Sequence, residues 1–203
     1  MKRTKEEADQ TRQALLDAAL ATFSRKGFAA TRLEDVAEAA KVTRGAIYHH
    51  FHSKLELYRT LIAEASQRGG AAIQRAISEG GSFVDVCTHI LVYSLSLLED
   101  DHQFREVMAL SLCMSEQTRE LAPIARTRSE QATVLVNGIA AYMQQGIAQG
   151  VLRPDIDPLT VARAFLAYQN GLISLWLANR DAFSIKDSAP QLASVLMGGL
   201  VRR

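Results

Sequence analysis

Apolar residues recur every three or four positions along most of this 203-residue chain, the spacing that places them on one face of an α-helix. The first such stripe contains Leu15, Leu16, Ala19, Leu20 and Phe23. No stretch alternates apolar and polar residues for long enough to indicate a β-sheet. We therefore predict an all-α fold of about nine helices.

Local signals at the helix ends give the predicted boundaries. Thr31 and Glu34 have the spacing of a capping box for the second helix, and Asp157–Pro158 supplies an N-cap followed by proline at the first helical position. Gly69–Gly70 marks the end of the fourth helix or a weak point within it. The nine predicted helices cover approximately residues 11–26, 33–40, 43–51, 54–70, 83–98, 103–114, 118–149, 158–179 and 187–201.

Residues 33–51 have the clearest functional pattern, because they read as two short helices joined by a tight turn at residues 40–42. The hydroxyl of Thr43 can cap the second helix, in which Ile47 and Phe51 lie one turn apart and face inward. Such an arrangement is typical of a helix-turn-helix DNA reader. The outward side of the second helix then carries Arg44, Gly45, Tyr48 and His49.

The charge is distributed unevenly, although the net charge of the whole chain is only +1. Residues 1–60 carry a net charge of +3, and the remaining 143 residues carry a net charge of −2. A modestly basic N-terminal part fits a small electrostatic footprint on DNA. Lys2, Arg3 and Lys5 belong either to a frayed terminus or to a flexible basic arm that adds DNA contacts.

Several classes of protein are disfavoured by the sequence. The N-terminus lacks the apolar segment of a signal peptide, and the longest apolar stretch, residues 165–178, is shorter than the roughly 20 residues that span a membrane. We therefore expect a soluble, cytoplasmic protein that does not associate with membranes. Cys87 and Cys113 lie in apolar helical patterns and are interpreted as buried free thiols. No nucleophile–base pair or phosphate-binding loop indicates an enzyme, and no cofactor is expected.

Residues 11–54 resemble the DNA-binding domain of the TetR family of transcriptional repressors. The resemblance rests on Gly27-Phe28-x-x-Thr31, Val36-Ala37, the run Val42–Phe51 and Lys54-x-x-Leu57. The segments RTKEEADQTR and GLISLWL also resemble the AcrR-like, multidrug-efflux branch of the family. Lys41 departs from the family pattern, which has glycine there, and costs about 1 kcal/mol if the turn requires a positive φ.

The resemblance implies a set of DNA-contacting residues whose chemistry suits that role. Arg44 can reach guanine O6 and N7 in the major groove, and Gly45 lets the backbone approach the duplex closely. Neighbouring histidines on a helix point about 100° apart, so no metal site is predicted at His49 and His50. The predicted DNA-binding residues are Thr31, Thr43, Arg44, Gly45, Tyr48, His49, His50 and Lys54.

The predicted eighth helix is apolar on two neighbouring stripes, and both must be buried. One stripe can face the interior of the subunit and the other a second copy of the chain; the TetR family dimerises through a C-terminal helix pair. The alternative is that both stripes belong to the core of one subunit. The predicted dimer-interface residues are Phe165, Tyr168, Leu172, Leu175 and Trp176.

A ligand pocket is predicted in the same helical body. Gln169 and Asn170 are the only amides on the inward stripe, and they are either satisfied within the core or orient a ligand in a largely apolar cavity. The scarcity of charge in the fifth and sixth helices favours a neutral, hydrophobic effector. The predicted effector-binding residues are Phe83, Cys87, Phe104, Met108, Leu112, Tyr142, Leu166, Gln169, Asn170 and Ile173.

Together these features predict a homodimeric transcriptional repressor, with residues 1–52 as the helix-turn-helix domain and residues 53–203 as the effector-binding and dimerisation domain. The dimer is expected to bind a palindromic double-stranded DNA operator and to be released by a small hydrophobic effector. The controlled genes are expected to belong to an efflux system. An activator, or a redox-responsive regulator working through Cys87 or Cys113, is the alternative on the same fold.

Overall fold

Nine α-helices make up the described part of the chain. In this computed structural model it comprises residues 5–113 and 122–202, with all their side chains except those at 113, 123–125, 127 and 128. Apart from one isolated antiparallel bridge between Leu152 and Val201, these residues contain no β-structure. The helices are α1 (Lys5–Lys26), α2 (Leu33–Ala39), α3 (Arg44–His50), α4 (Lys54–Glu79), α5 (Phe83–Asp100), α6 (His102–Cys113), α7 (Ala122–Ala148), α8 (Pro158–Ala178) and α9 (Ile185–Gly198). The predicted all-α fold is confirmed.

Most helix ends follow the signals in the sequence. Gly27 has a φ of 77° directly after α1, and the side chains of Thr43 and Asp157 accept backbone N–H groups at 3.2 and 2.8 Å at the starts of α3 and α8. The N-cap of α2 lies one residue later than predicted, although the helix begins at Leu33 as expected. Its N-cap is Arg32, whose N–H donates to Asp35 Oδ2 at 2.9 Å, so the capping pair predicted one position earlier is wrong.

Helix α4 is longer than predicted, because it continues through Gly69 and Gly70 to Glu79. Next to the glycine pair, Arg68 donates to both carboxylate oxygens of Asp101, at 2.8 and 2.7 Å. This ion pair, in which Nη1 of Arg68 contacts both carboxylate oxygens, fixes α4 to the end of α5 beside the glycine pair, where the helix propensity of α4 is lowest.

Two other helices have N-terminal boundaries that differ from the predicted ones. Helix α1 begins at Lys5, earlier than predicted, while Lys2 and Arg3 of the basic arm lie outside the described residues. The predicted start of α7 at Thr118 also lies outside them, and the described helix begins at Ala122. None of the helices in the described ranges is long and apolar enough to cross a membrane.

The chain divides into two compact units: a first unit of Met1–Gln67 and Gln103–Ile124, and a second unit of Arg68–His102 and Ala125–Arg203. The core of the first unit contains three aromatic rings, those of Phe23, Phe28 and Tyr58, whose centroids are 5.3 to 6.4 Å apart. All three side chains are at most 2% exposed. Tilted and edge-on contacts at these distances stabilise the packing of α1 against the first half of α4.

The second unit is organised around the packing of α5 against α9. Glu99, in the last turn of α5, accepts hydrogen bonds from the Ile185 N–H at 2.7 Å, the Lys186 N–H at 3.3 Å and the Ser184 hydroxyl at 3.2 Å. These are backbone and side-chain donors at the start of α9, which otherwise lack partners in the helix. A carboxylate from one helix therefore caps the other and fixes where the two helices begin to run together.

The turn between α2 and α3 is tight, and Lys41 in it has a φ of 55°. Its N–H donates to Glu38 O at 3.0 Å, and the N–H of Val42 donates to Ala37 O at 3.0 Å. A left-handed conformation brings the Cβ of a non-glycine residue close to the following carbonyl oxygen. Lys41 therefore carries the backbone strain that its departure from the family pattern suggests.

We predict that Lys41→Gly stabilises the protein by roughly 0.5–1 kcal/mol, because the relief of strain outweighs the greater freedom of glycine in the unfolded chain. Urea unfolding followed by circular dichroism measures the change. Lys41→Ala is the matched control, since it removes the same ammonium group but keeps the Cβ. Equal stabilisation by both substitutions would show that charge, not backbone strain, is responsible.

Candidate nucleic-acid interface

Helix α3 presents one buried and one exposed face. Ile47 and Phe51 are 0% and 2% exposed, as their spacing predicted. The guanidinium of Arg12, on α1, lies 5.6 Å from the centroid of the Phe51 ring and covers its outer side. The opposite face is exposed and carries the four predicted residues Arg44, Gly45, Tyr48 and His49.

The exposed face of α3 is connected to α2 through one carboxylate. Glu34 Oε1 accepts a hydrogen bond from the Tyr48 hydroxyl at 3.0 Å and lies 3.2 Å from Nη2 of Arg44. The Arg44 guanidinium also lies 5.6 Å from the centroid of the Tyr48 ring. The pKa of Glu34 is lowered, first by a hydrogen bond from its own backbone and then by the bond from Tyr48, so this carboxylate is ionised at neutral pH.

Glu34 is a residue of this surface that sequence reasoning missed. The capping-box pattern assigned it to the cap at the start of α2, but that role falls to Asp35. Its position on the outward side of α2, one residue after the buried Leu33, is the signal that could have identified it.

The Thr31 side chain is buried and does not reach the surface where a DNA phosphate would bind. It is 2% exposed, and its hydroxyl donates to Gly27 O at 2.7 Å. The structure therefore does not support the predicted phosphate contact of the Thr31 side chain. The residue instead fixes the loop between α1 and α2.

Lys54 supports the same loop from the start of α4. Its ammonium donates to Phe28 O and Ala29 O, both at 3.1 Å, and lies 4.8 Å from the centroid of the Phe28 ring. These contacts hold the Lys54 ammonium next to the loop between α1 and α2, whether or not it also contacts a phosphate. Its predicted phosphate contact stays a prediction.

The histidines of α3 pack against each other. The rings of His49 and His50 are 5.3 Å apart and meet edge to face at 76°. His49 is exposed, whereas His50 is half-buried. Within the described ranges, no group of three His, Cys, Asp or Glu side chains is arranged to hold a metal ion.

In the second unit, part of the predicted effector region surrounds a packed core. Cys87 is 1% exposed and contacts the cluster that includes Met143. Phe83 and Tyr142 pack against this cluster and stack on each other, with ring centroids 4.7 Å apart and planes at 18°. Gly146 makes room for this stack, since a Cβ at Gly146 would lie 2.6 Å from Phe83 Cζ.

Burial raises the pKa of the Cys87 thiol to about 12. Only the thiolate reacts readily with oxidants, so at neutral pH this cysteine has almost no reactive form. A redox mechanism through Cys87 is therefore disfavoured. The side chain of Cys113 lies outside the described part of the chain.

On α8, the assignment of residues to the inward face was partly wrong. Ile173 is 4% exposed and Leu166 and Gln169 are half-buried, but Asn170 is exposed. Asn170 is thus not an inward-facing residue of the subunit. The buried face is set by Val161, Ala162, Phe165, Ile173 and Trp176.

The predicted dimer stripe is also partly wrong. Phe165 and Trp176 are each 4% exposed in the single chain, so they are core residues with little surface left for a partner. Trp176 Nε1 donates to Phe183 O at 3.1 Å, and the Tyr168 hydroxyl donates to Leu192 O at 2.9 Å. Leu172 is half-buried, and Leu175 remains 62% exposed.

Three of the predicted effector residues, Phe104, Met108 and Leu112, belong to the first unit. Phe104 is 8% exposed, and the other two are half-buried. Whether they contribute to one pocket with Phe83 and Tyr142 stays a prediction.

Comparison with known proteins decides the family. Residues 15–61 match the family described as bacterial regulatory proteins, tetR family, and residues 84–200 match the C-terminal region of MAATS-type transcriptional repressors. The chain belongs to the TetR family. The predicted DNA-binding transcriptional regulator is thereby confirmed.

Individual TetR-family proteins align over nearly the whole chain. TtgR, a transcriptional regulator of Pseudomonas putida, is 31% identical over 91% of this chain and 89% of its own. NalD of Pseudomonas aeruginosa, the secondary repressor of the MexAB-OprM multidrug efflux pump, has a TM-score of 0.84 and 26% identity, covering 98% of this chain and 99% of NalD.

SmeT, the repressor of a Stenotrophomonas maltophilia multidrug efflux pump, has been solved in complex with triclosan. That complex has a TM-score of 0.80 at 22% identity and covers 95% of this chain and 92% of SmeT. At this identity the likeness establishes the TetR fold alone.

Proposed function

We propose that this TetR-family chain is a ligand-responsive repressor that binds a palindromic operator as a dimer and controls an efflux system. Residues 1–52 are the DNA reader, and residues 53–203 bind the effector and the second subunit. The proposal rests chiefly on the exposed face of α3, where Arg44 and Tyr48 lie side by side on a helix fixed by the buried Ile47 and Phe51.

Arg44 is the residue we expect to read the base sequence. Its side chain is 74% exposed and stands in the first turn of α3. Arginine donates two parallel hydrogen bonds to guanine O6 and N7, the commonest specific contact in the major groove. Beside it, an added Cβ at Gly45 would meet only Thr43 Oγ1, at 3.9 Å, so the backbone there is open to a duplex. Tyr48, Thr43 and His49 then contact the flanking phosphates.

The effector is proposed to bind beside the stacked rings of Phe83 and Tyr142. These half-buried rings adjoin an apolar cluster, and the pKa of Tyr142 is raised, chiefly by burial. An apolar wall with one hydroxyl suits a neutral, hydrophobic molecule. A molecule that binds more tightly to the DNA-free form of the dimer shifts the population away from the operator.

The dimer interface is proposed to lie on the exposed faces of α8 and α9. Leu175 and Val195 are 62% and 67% exposed, one on each helix. Uncharged, mostly small residues flank them, and small residues let helices from two subunits approach closely. These exposed neighbours are Ala164, Ala167, Gly171, Ser174, Ala178, Ser194 and Gly198.

Replacing Arg44 with alanine should abolish selective operator binding while leaving the dimer intact. A palindromic duplex is first selected by the wild-type protein from a random-sequence pool, and fluorescence anisotropy then measures affinity. A loss of one bidentate base contact per subunit corresponds to a roughly hundredfold or larger decrease for the dimer. Arg126→Ala, which removes an exposed arginine from α7, is the control. Unchanged operator affinity in Arg44→Ala would exclude the proposed reading mode.

Triclosan should release the wild-type protein from the selected duplex, because it is neutral at mildly acidic pH and hydrophobic. Phe83→Ala should weaken this response by about tenfold through the loss of an aromatic wall, without changing duplex affinity in the absence of triclosan. Ile77→Ala, at an exposed apolar position of α4, is the control. If a panel of neutral hydrophobic compounds leaves the complex intact, the effector proposal is wrong.

Leu175→Glu should convert the dimer to a monomer at micromolar concentration, because it introduces two carboxylates into an apolar contact. Sedimentation equilibrium measures the change. Val134→Glu is the matched control, since Val134 is an apolar residue of α7 that is 73% exposed. Dissociation by Val134→Glu but not by Leu175→Glu would move the interface to α7.

A further inference from the structure

We infer that Glu34 is an intramolecular competitor for DNA: its carboxylate holds Arg44 Nη2 and the Tyr48 hydroxyl in the free protein, and DNA must displace it. The inference rests on the proposed function, in which these two side chains contact the operator. On this inference, Glu34 sets the affinity of the helix-turn-helix for DNA.

The geometry resembles the contacts of a bound phosphate. One oxygen, Glu34 Oε1, accepts the Tyr48 hydroxyl at 3.0 Å and lies 3.2 Å from Arg44 Nη2. A phosphate oxygen accepts from arginine and tyrosine in the same way. The Tyr48 hydroxyl has one hydrogen to donate and cannot serve Glu34 and the duplex at once, and Arg44 must leave the carboxylate before Nη2 can donate to DNA.

DNA can displace Glu34 from Arg44 because both side chains are exposed to solvent. The side chains of Arg44 and Glu34 are 74% and 43% exposed, and ion pairs with such exposure contribute little to stability. DNA can therefore replace the carboxylate without unfolding any part of the helix-turn-helix. After the exchange Glu34 remains ionised next to the duplex, where its charge opposes that of the phosphates.

Glu38 offers an internal comparison, because it lies one turn further along α2 and is exposed. Among the described residues, its carboxylate has no hydrogen-bond or ion-pair partner. Neutralising Glu38 removes one negative charge from the same helix without freeing Arg44 or Tyr48. The difference between Glu34→Gln and Glu38→Gln therefore isolates the competition from general repulsion.

The test measures the affinity of each variant for the selected operator and for a random-sequence duplex of equal length, over a range of salt concentrations. Glu34→Gln should raise affinity for both duplexes by about tenfold, and Glu38→Gln by threefold or less. The slope of log K against log salt should become steeper for Glu34→Gln by up to about one per subunit, since Glu34 no longer takes up a cation when Arg44 leaves it. Circular dichroism checks that both variants are folded.

A protein that lacks both donors tests directly whether Glu34 acts through Arg44 and Tyr48. In a protein that already carries Arg44→Ala and Tyr48→Phe, Glu34→Gln should raise affinity for the random duplex no more than Glu38→Gln does. A persistent tenfold gain there would show that Glu34 acts by charge alone and would overturn the inference.

The remaining outcomes separate this inference from the proposed function. Equal effects of Glu34→Gln and Glu38→Gln, with operator binding still dependent on Arg44, overturn the inference alone. A decrease in operator affinity for Glu34→Gln also overturns it, because Glu34 then orients Arg44 for reading. If the wild-type protein selects no sequence from the pool, the proposed function itself fails.

Discussion

The proposed DNA-binding face of α3 depends on the burial of two side chains, Ile47 and Phe51. Helix α3 has only seven residues, and isolated helices of that length are not stable in water. It persists because its inner face packs in the first unit and because Thr43 caps its first turn. With the inner face fixed, the direction of every outer side chain follows from the helix geometry. The proposed specificity for DNA therefore depends first on apolar packing.

The polar groups around this packed unit act mainly to position the backbone. Thr31 and Lys54 both donate to carbonyl oxygens of the segment between α1 and α2, and Asp35 caps α2. In the second unit Glu99 does the same for the start of α9. Several side chains that look available for binding are thus already used by the protein. This explains why a polar residue in a family motif is not always a ligand contact.

Much of the fold could be predicted from sequence because its signals are local. The cap at Thr43 and the inward pair Ile47 and Phe51 each follow from spacings within one turn or two. The N-cap of α2 was assigned wrongly because Thr31 and Glu34 have the spacing of a capping box. In the structure the Thr31 hydroxyl instead donates to Gly27 O, and Asp35 accepts the N–H of Arg32. The prediction of the inward face of α8 failed for a different reason. A helix that is apolar around most of its surface has no unique inward direction that the sequence can reveal. Phe165 was therefore assigned to the wrong face. The Glu34 contacts were missed because they join two helices.

The absence of a side chain at Gly146 has an evolutionary consequence. Any other residue there places its Cβ within 2.6 Å of Phe83 Cζ, so the ring must move. A single-codon change in α7 can thus remodel the apolar interior of the second unit while every residue of α3 stays the same. If the effector binds there as proposed, ligand range and promoter choice can diverge in descendants of this chain through separate mutations.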